Sequence, residues 1–360
     1  MDIYLDCAAA SRPAPETLEF YLEAMRADYA NQEALHSLAY AARQHLAEAE
    51  NELLAALGFA PEHFGVIWGA SGTECFRIVA EFLTGKKTVS SVLEHPALAA
   101  NFRGKTEFLQ LKCDRTGQII LPEYAVSPDA VIFHHVQSET GLLQDQSRLF
   151  GAFDRALKIS DSVQSAAKLP LEMIADIHIV SGVKFGAPGG AALIGRKVDG
   201  VFGKLEKFVK TMRDRDYSLS RLSVPLCRAM AFAASGRAKC RVQELIRITQ
   251  LKEKLHRNLA AFSVFPLLPE EAKTSPYINN FFLPGIQAAV IVRALSAKGI
   301  HCASGSACAA ESGMPSPALL ALGKSKKDAY SGFRVSFDSF SNENDVDFLS
   351  FELEKALKNY

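Results

Sequence analysis

The chain carries no excess of charge: 40 basic and 40 acidic residues cancel, and neither sign gathers into a patch or tail. Nucleic acids and anionic membrane surfaces recruit concentrated positive charge, so neither is expected as a partner. No stretch approaches the ~18 apolar residues that a membrane span requires. The opening Met1-Asp-Ile-Tyr-Leu-Asp6 lacks a positive segment and an apolar core, so no signal peptide is expected. Seven cysteines are scattered without Cys-x-x-Cys spacing or a paired framework. That argues against a disulfide-stapled scaffold and predicts free thiols in a reducing cytoplasm. No metal centre is expected. Internal repeats and low-complexity tracts are also missing.

What is present is a long, mixed chain. At 360 residues it exceeds one ordinary core, so two domains are expected. Short apolar runs alternate with helical patterns from about residue 65 to 196. Val66-Ile-Trp68, Thr88–Val92, Ala130–Phe133, Ile177–Val180 and Ala191–Ile194 read as buried strands, and Thr73–Leu83 as a helix. This order predicts an α/β domain with a mostly parallel sheet, whose ligands bind at the carboxyl ends of strands. Val224–Ala234 and Arg237–Phe262 read as helical, the second long enough to bridge two domains. Beyond Pro276 come a strand at Ile278–Leu283, a helix at Ala288–Lys298, a strand at Phe333–Phe337 and a last helix at Asn344–Leu357. These predict a small α+β domain, with the boundary near residue 250.

Chemistry-bearing residues fall just after the predicted strands. Lys184 follows Ile177–Val180 by a few residues, and a lysine amine can form a Schiff base with an aldehyde cofactor. Asp161 lies 23 residues earlier. A carboxylate there can keep a pyridine nitrogen protonated and make the ring an electron sink. Together they suit pyridoxal phosphate. Ala70-Ser71-Gly72-Thr73 opens a helix, where small residues and the helix start favour a phosphate, although an ordinary helix cap reads the same way. His95 in Glu94-His95-Pro96 can lie on an aromatic ring and shuttle a proton, or be a partly buried structural histidine. Ser138, in His135-Val-Gln137-Ser138-Glu139-Thr140-Gly141, can donate to a cofactor oxygen. Cys308 sits in Ser304-Gly-Ser-Ala-Cys308 and is a candidate nucleophile if its thiolate is stabilised. The competing reading is a plain buried cysteine, which is how Cys302 reads. Arg334 can grip a carboxylate through two parallel hydrogen bonds, but its face in the Phe333–Phe337 strand is ambiguous.

Taken together, these segments resemble the cysteine desulfurases of the class V aminotransferase group, of pyridoxal-phosphate fold type I. The similarity runs nearly end to end. Leu5-Asp6-Cys-Ala-Ala-Ala-Ser11 resembles the opening segment of that family, and Tyr29-Ala-Asn31 with His36 an altered later one. Ser71-Gly-Thr-Glu74, Glu94-His95, Ser138-Glu139-x-Gly141, Asp161-x-x-Gln164 and Ser181-Gly-x-Lys184 follow in the family's order. Ser304-Gly-Ser-Ala-Cys308 and Phe333-Arg334-x-Ser336 complete the set.

The resemblance implies a large cofactor domain over residues 15–250, with a helix-sandwiched, mostly parallel sheet. Residues 1–14 and 251–360 would form the small domain. Lys184 would hold the cofactor as an imine and move the substrate's α-proton. Asp161 would pair with the pyridine nitrogen, Gln164 and Ser138 would touch ring substituents, and His95 would stack on the ring. Gly72, Thr73 and Ser181 would hold the phosphate, with Ser223 supplied by the partner of a homodimer. Arg334 and Asn31 would bind the carboxylate of L-cysteine. Cys308 would take the sulfur as a persulfide, leaving alanine, for delivery to an acceptor protein in iron–sulfur assembly or thiolation. A selenocysteine lyase or another fold-type-I aminotransferase, and a non-catalytic relative that binds protein partners, are the alternatives.

The chain also departs from that family. Val183 stands where a histidine is usual and Ser138 where an asparagine is usual. Residues 212–221 replace a glycine-rich basic loop, Asp338-Ser339 stand where a second arginine is usual, and Asn31 is followed by Gln-Glu. Each lost phosphate or ring contact costs about 1 kcal/mol. A divergent member with weakened cofactor retention is expected.

Overall fold

The computed structural model describes residues 2–123, 126–214, 219, 221–305 and 314–360. Cys308 therefore lies outside the described residues. In chain order the first elements are β1 (Ile3–Tyr4), α1 (Pro15–Ala27), α2 (Ser37–Leu57), β2 (Phe64–Gly69), α3 (Gly72–Phe82), β3 (Lys87–Ser91), α4 (Pro96–Phe102) and β4 (Glu107–Leu111). There follow β5 (Ala130–His134), α5 (Gln146–Gly151), β6 (Leu157–Asp161), β7 (Ile177–Ser181), β8 (Ala191–Arg196), α6 (Val201–Asp214) and α7 (Val224–Ala260). The remainder comprises β9 (Phe265–Pro266), β10 (Ile278–Phe282), α8 (Ala288–Ser296), β11 (Ile300–His301), α9 (Pro317–Ala321), β12 (Gly332–Ser336) and α10 (Glu343–Lys358).

The central sheet runs β2-β8-β7-β6-β5-β3-β4, and every pairing is parallel except those of β8 with β2 and β7. This is the α/β architecture that the sequence predicts. A parallel strand buried on both faces favours a continuous apolar run, and β5 and β7 are buried at every position. One face packs Phe76 and Val79 of α3, Phe102 of α4 and Leu205 and Val209 of α6 against Ile132, Ile159 and Ile179. The other packs Leu53 and Leu57 of α2 and Met230 and Ala231 of α7 against Val66, Val180 and Ile194. Each fully buried leucine, isoleucine or phenylalanine contributes about 1.5–3 kcal/mol.

Two of these strands, β4 and β6, do not stand out in the sequence. β6 reads Leu-Lys-Ile-Ser-Asp, and its two polar side chains and terminal carboxylate hide a strand that is central in the sheet. The two helices expected between residues 224 and 262 are one helix of 37 residues, α7. At 1.5 Å per residue it is about 55 Å long. Its first half lies on the central sheet. Its second half sends Ile248, Leu251, Leu255 and Leu259 into a separate core with Phe281, Phe333, Phe337 and Leu349.

That second core also receives Leu5 from the chain start. β1 pairs with β11 in parallel, and β10 lies antiparallel between β9 and β12. Cys302 is buried there, and desolvation pushes its thiol up to about 12, which suits a packing role. The loop after β5 is pressed against β10 at Gly141, where φ is +74° and a Cβ would come within 2.3 Å of the Ile278 carbonyl oxygen. Only glycine fits that approach. Among the described residues no helix is long and apolar enough to cross a membrane.

Candidate active site

A cavity of about 270 Å³ opens at the carboxyl ends of the parallel strands. It is the place where an open α/β sheet binds ligands. Gly72, Thr73, His95, Ser138, Asp161, Gln164, Ser181, Lys184 and Arg334 all line it. The chain order alone separates these residues widely; the ends of β2, β3, β5, β6 and β7 and the middle of β12 bring them together.

Lys184 ends the short helical turn that follows β7, and its Nζ donates to the Ala9 carbonyl at 2.5 Å. A Cβ at Gly182 would meet the Gly189 carbonyl oxygen at 2.5 Å, so the turn that aims Lys184 is closely packed. Asp161 ends β6, next to β7. It is buried and accepts from Val163 N at 3.0 Å. Burial pushes its carboxyl up to about 7, with Glu94 adding and the Val163 bond, His134 and Lys184 opposing. A buried acid of this kind accepts a cationic partner readily. Gln164 donates to the Ala8 carbonyl at 2.9 Å, while its Oε1 is buried without a hydrogen-bond partner. Gln164 lines the cavity, and a buried polar atom left without a partner is one that a small side-chain shift lets a bound polar substituent satisfy.

The start of α3 forms the opposite wall. Ser71 caps it by accepting from Glu74 N at 3.2 Å, and Gly72 and Thr73 follow. Ser181 faces them: a Cβ at Gly72 would lie 3.7 Å from the Ser181 Cβ. Free amides of a first helical turn beside two hydroxyls suit an anion such as a phosphate.

His95 caps α4, its Nδ1 accepting from Ala97 N at 3.1 Å, which leaves the proton of the neutral ring on Nε2. Burial and then the Lys184 charge hold its pKa below the ordinary value, so it is a base rather than a cation near neutrality. Arg334 is buried in β12, which settles its face. Nη1 donates to the Ser138 carbonyl at 3.0 Å and Nη2 to Asp6 Oδ1 at 2.6 Å. Glu139, the next residue after Ser138, accepts from Ser316 Oγ at 2.6 Å, and a Cβ at Gly305 would lie 3.2 Å from its Oε2. Gly305 and Ser316, on either side of residues 306–313, thus both approach Glu139, the neighbour of the cavity-lining Ser138.

Three expected residues are not in this lining. Asn31 is half-buried in the loop between α1 and α2, where Oδ1 accepts from Glu33 N at 3.1 Å. Ser223 precedes α7 and does not line its own chain's cavity; the expectation for it concerns a partner's. Cys308 lies outside the described residues.

Sequence reasoning missed Asp6 and the pair Glu94–His134. His134 Nδ1 bonds Glu94 Oε1 at 2.8 Å, and both groups are nearly fully buried. The adjacent histidines at the end of β5 gave a signal, but their alternation, one facing the cavity and one away, needs the strand to reach residue 134.

The chain is similar to the cysteine desulfurase IscS of Anaeromyxobacter sp. strain K, 26% identical over 373 residues that cover 96% of this chain and 90% of that one. Its fold is that of a NifS-like protein from Rickettsia africae, with a TM-score of 0.86, 20% identity and coverage of 99% and 100%. SspA solved in complex with cysteine is a more distant match, with a TM-score of 0.72, 19% identity and coverage of 94% and 100%. This is pyridoxal-phosphate fold type I, as the resemblance implied. A strand-end cavity with a lysine and a buried aspartate on neighbouring strands agrees with the family model that the sequence matches over residues 3–215 and 226–349, and the chain belongs to the aminotransferase class-V family.

Proposed function

We propose that the chain is a pyridoxal-phosphate-dependent cysteine desulfurase, acting on L-cysteine to give L-alanine and a persulfide on Cys308. The observation that carries this is the shared cavity of Lys184 and Asp161, on the ends of adjacent strands. When bound, the cofactor supplies an electron-withdrawing ring that labilises bonds at the substrate's α and β carbons. Lys184 holds it covalently and afterwards moves the substrate's α-proton. Asp161 receives the ring nitrogen, Gln164 and Ser138 its polar substituents, and His95 covers its face. Gly72, Thr73 and Ser181 hold the phosphate, helped by Ser223 of a second copy in a homodimer.

Arg334 binds the substrate carboxylate, with Asn31 as a further contact. The Cys308 thiolate attacks the sulfur of the bound cysteine. A sulfur–sulfur bond forms, the carbon–sulfur bond breaks, and its electron pair goes to carbon, which takes a proton to become alanine. His95 takes the thiol proton in this reading, which is supported by its being a neutral base on the cavity wall. The approach of Gly305 and Ser316 to Glu139, next to the cavity-lining Ser138, supports reading Cys308 as the sulfur acceptor. The solved relative that holds cysteine supports that substrate. A sulfur-acceptor protein, serving iron–sulfur assembly or thiolation, completes the cycle.

The test is alanine and sulfide release from L-cysteine by wild type, Lys184→Ala and Cys308→Ala. The reading predicts turnover by wild type alone. Unreduced alanine formation by Cys308→Ala rules out the persulfide.

A further inference from the structure

Beside Asp161 lies a second buried group to which this mechanism gives no task. His134 ends β5 and is paired in register with Asp161 of β6, so the two side chains emerge on the same face of the sheet, and both line the cavity. Glu94 clamps His134 twice, accepting from the ring Nδ1 at 2.8 Å and from the backbone N at 3.0 Å. Ser91 Oγ in turn donates to Glu94 at 2.7 Å, which fixes the carboxylate. The ring's far nitrogen, Nε2, is buried with no hydrogen-bond partner. His178 Nε2 is orphaned as well, but His178 does not line the cavity. His134 is held from behind by Glu94, and the residue lines the cavity beside Asp161.

We propose that Glu94, His134 and Asp161 act as one row of alternating charge, in which His134 is a positioning residue that acts on the cofactor's ring nitrogen through Asp161. The inference rests on the cofactor reading above. Asp161 and the ring nitrogen share one proton. On nitrogen it gives a carboxylate facing a pyridinium; on oxygen it gives a neutral acid facing a neutral ring. Burial alone favours the neutral arrangement, which is a poor electron sink. A cation beside Asp161 favours the charged one. Burial disfavours a charged His134, but Glu94 outweighs it and Asp161 adds to the effect, so its pKa stands above the ordinary value. Lys184, which lines the same cavity, also favours an ionised Asp161, while His95 is held as a neutral base.

The experiment reconstitutes apo-protein with pyridoxal phosphate labelled with ¹⁵N in the ring and reads the ring-nitrogen NMR shift. Wild type is expected at the protonated position. His134→Gln keeps a donor for Glu94 and removes the cation; its ring nitrogen moves toward the unprotonated position, and the cofactor's Kd rises about tenfold, one unit of proton affinity. The double variant Glu94→Gln/His134→Gln also removes the opposing anion and recovers most of both changes, which a merely structural role does not predict. His134→Gln that binds cofactor with an unmoved ring nitrogen overturns the inference alone. So does a neutral His134 in the imidazole NMR of wild-type apo-protein at pH 7, a reading that needs no variant to fold. A wild type that takes up no cofactor overturns the functional reading and this inference together.

Discussion

Arg334 Nη2 lies 2.6 Å from Asp6 Oδ1, so the cavity's arginine is held by a carboxylate from the other end of its own chain. Nη1 is spent on the Ser138 carbonyl, and Nε is buried without a hydrogen-bond partner. A fork held this way is aimed before substrate arrives. Arg334→Lys keeps the charge but loses the planar fork. It is expected to raise KM for L-cysteine at least about tenfold, the worth of one lost charged hydrogen bond, with a smaller effect on kcat. Arg334→Leu also strands Asp6. With Asp6 23% exposed, the stability loss falls at the low end for a broken buried pair, about 3 kcal/mol. Steady-state alanine formation and urea unfolding measure the two effects.

Asp161 makes the apo-protein's stability depend on pH. Its folded carboxyl is raised to about 7 from an ordinary 3.8, so the folded state holds this proton more tightly than the unfolded state does. The contribution is fully present below about pH 4 and is lost as pH rises through about 7. Asp161→Asn cannot ionise. Its stability relative to wild type should therefore climb by a few kcal/mol between pH 4 and pH 7 and level off above. Urea midpoints of both apo-proteins across that range check this; a constant difference contradicts it. With cofactor bound the order reverses at pH 7, because the asparagine offers no charge to the ring nitrogen.

Gly141→Ala tests the contact between the loop after β5 and β10. The added methyl would sit 2.3 Å from the Ile278 carbonyl oxygen at a φ of +74°. Strain from the left-handed backbone and the clash together predict a loss of about 2–4 kcal/mol. Cofactor uptake should fall too, because Ser138 rides on the same loop. An unchanged urea midpoint contradicts the assigned geometry.

These sites divide by how far their physics is local. Lys184 and Thr73 were legible at the cavity because a strand end and a helix start leave marks within a few residues: apolar runs, small residues and a cap. Asp161 was picked out by its Asp-x-x-Gln segment, although its strand was not. The Asp6–Arg334 pair was not, since its partners lie 328 positions apart and nothing local joins them. The placement of His134 beside Asp161 was hidden differently. Next to His135 it reads as loop, until register with Asp161 shows that β5 continues to it. β6 escaped notice because its lysine and serine break the apolar run, although the sheet buries the backbone around them. α7 read as two helices because its composition changes midway, from small and apolar to charged. One continuous helix serves two different cores.

The central claim is an imine between Lys184 Nζ and the cofactor's aldehyde. Reduction of the holo-protein with borohydride, followed by peptide mapping, tests it directly. Lys168 is the internal control: it is 1% exposed, and burial lowers its amine to about 7. The account predicts one pyridoxyl adduct, on the peptide containing Lys184, and none in Lys184→Ala. An adduct on Lys168 or elsewhere, or no adduct in wild type, contradicts it.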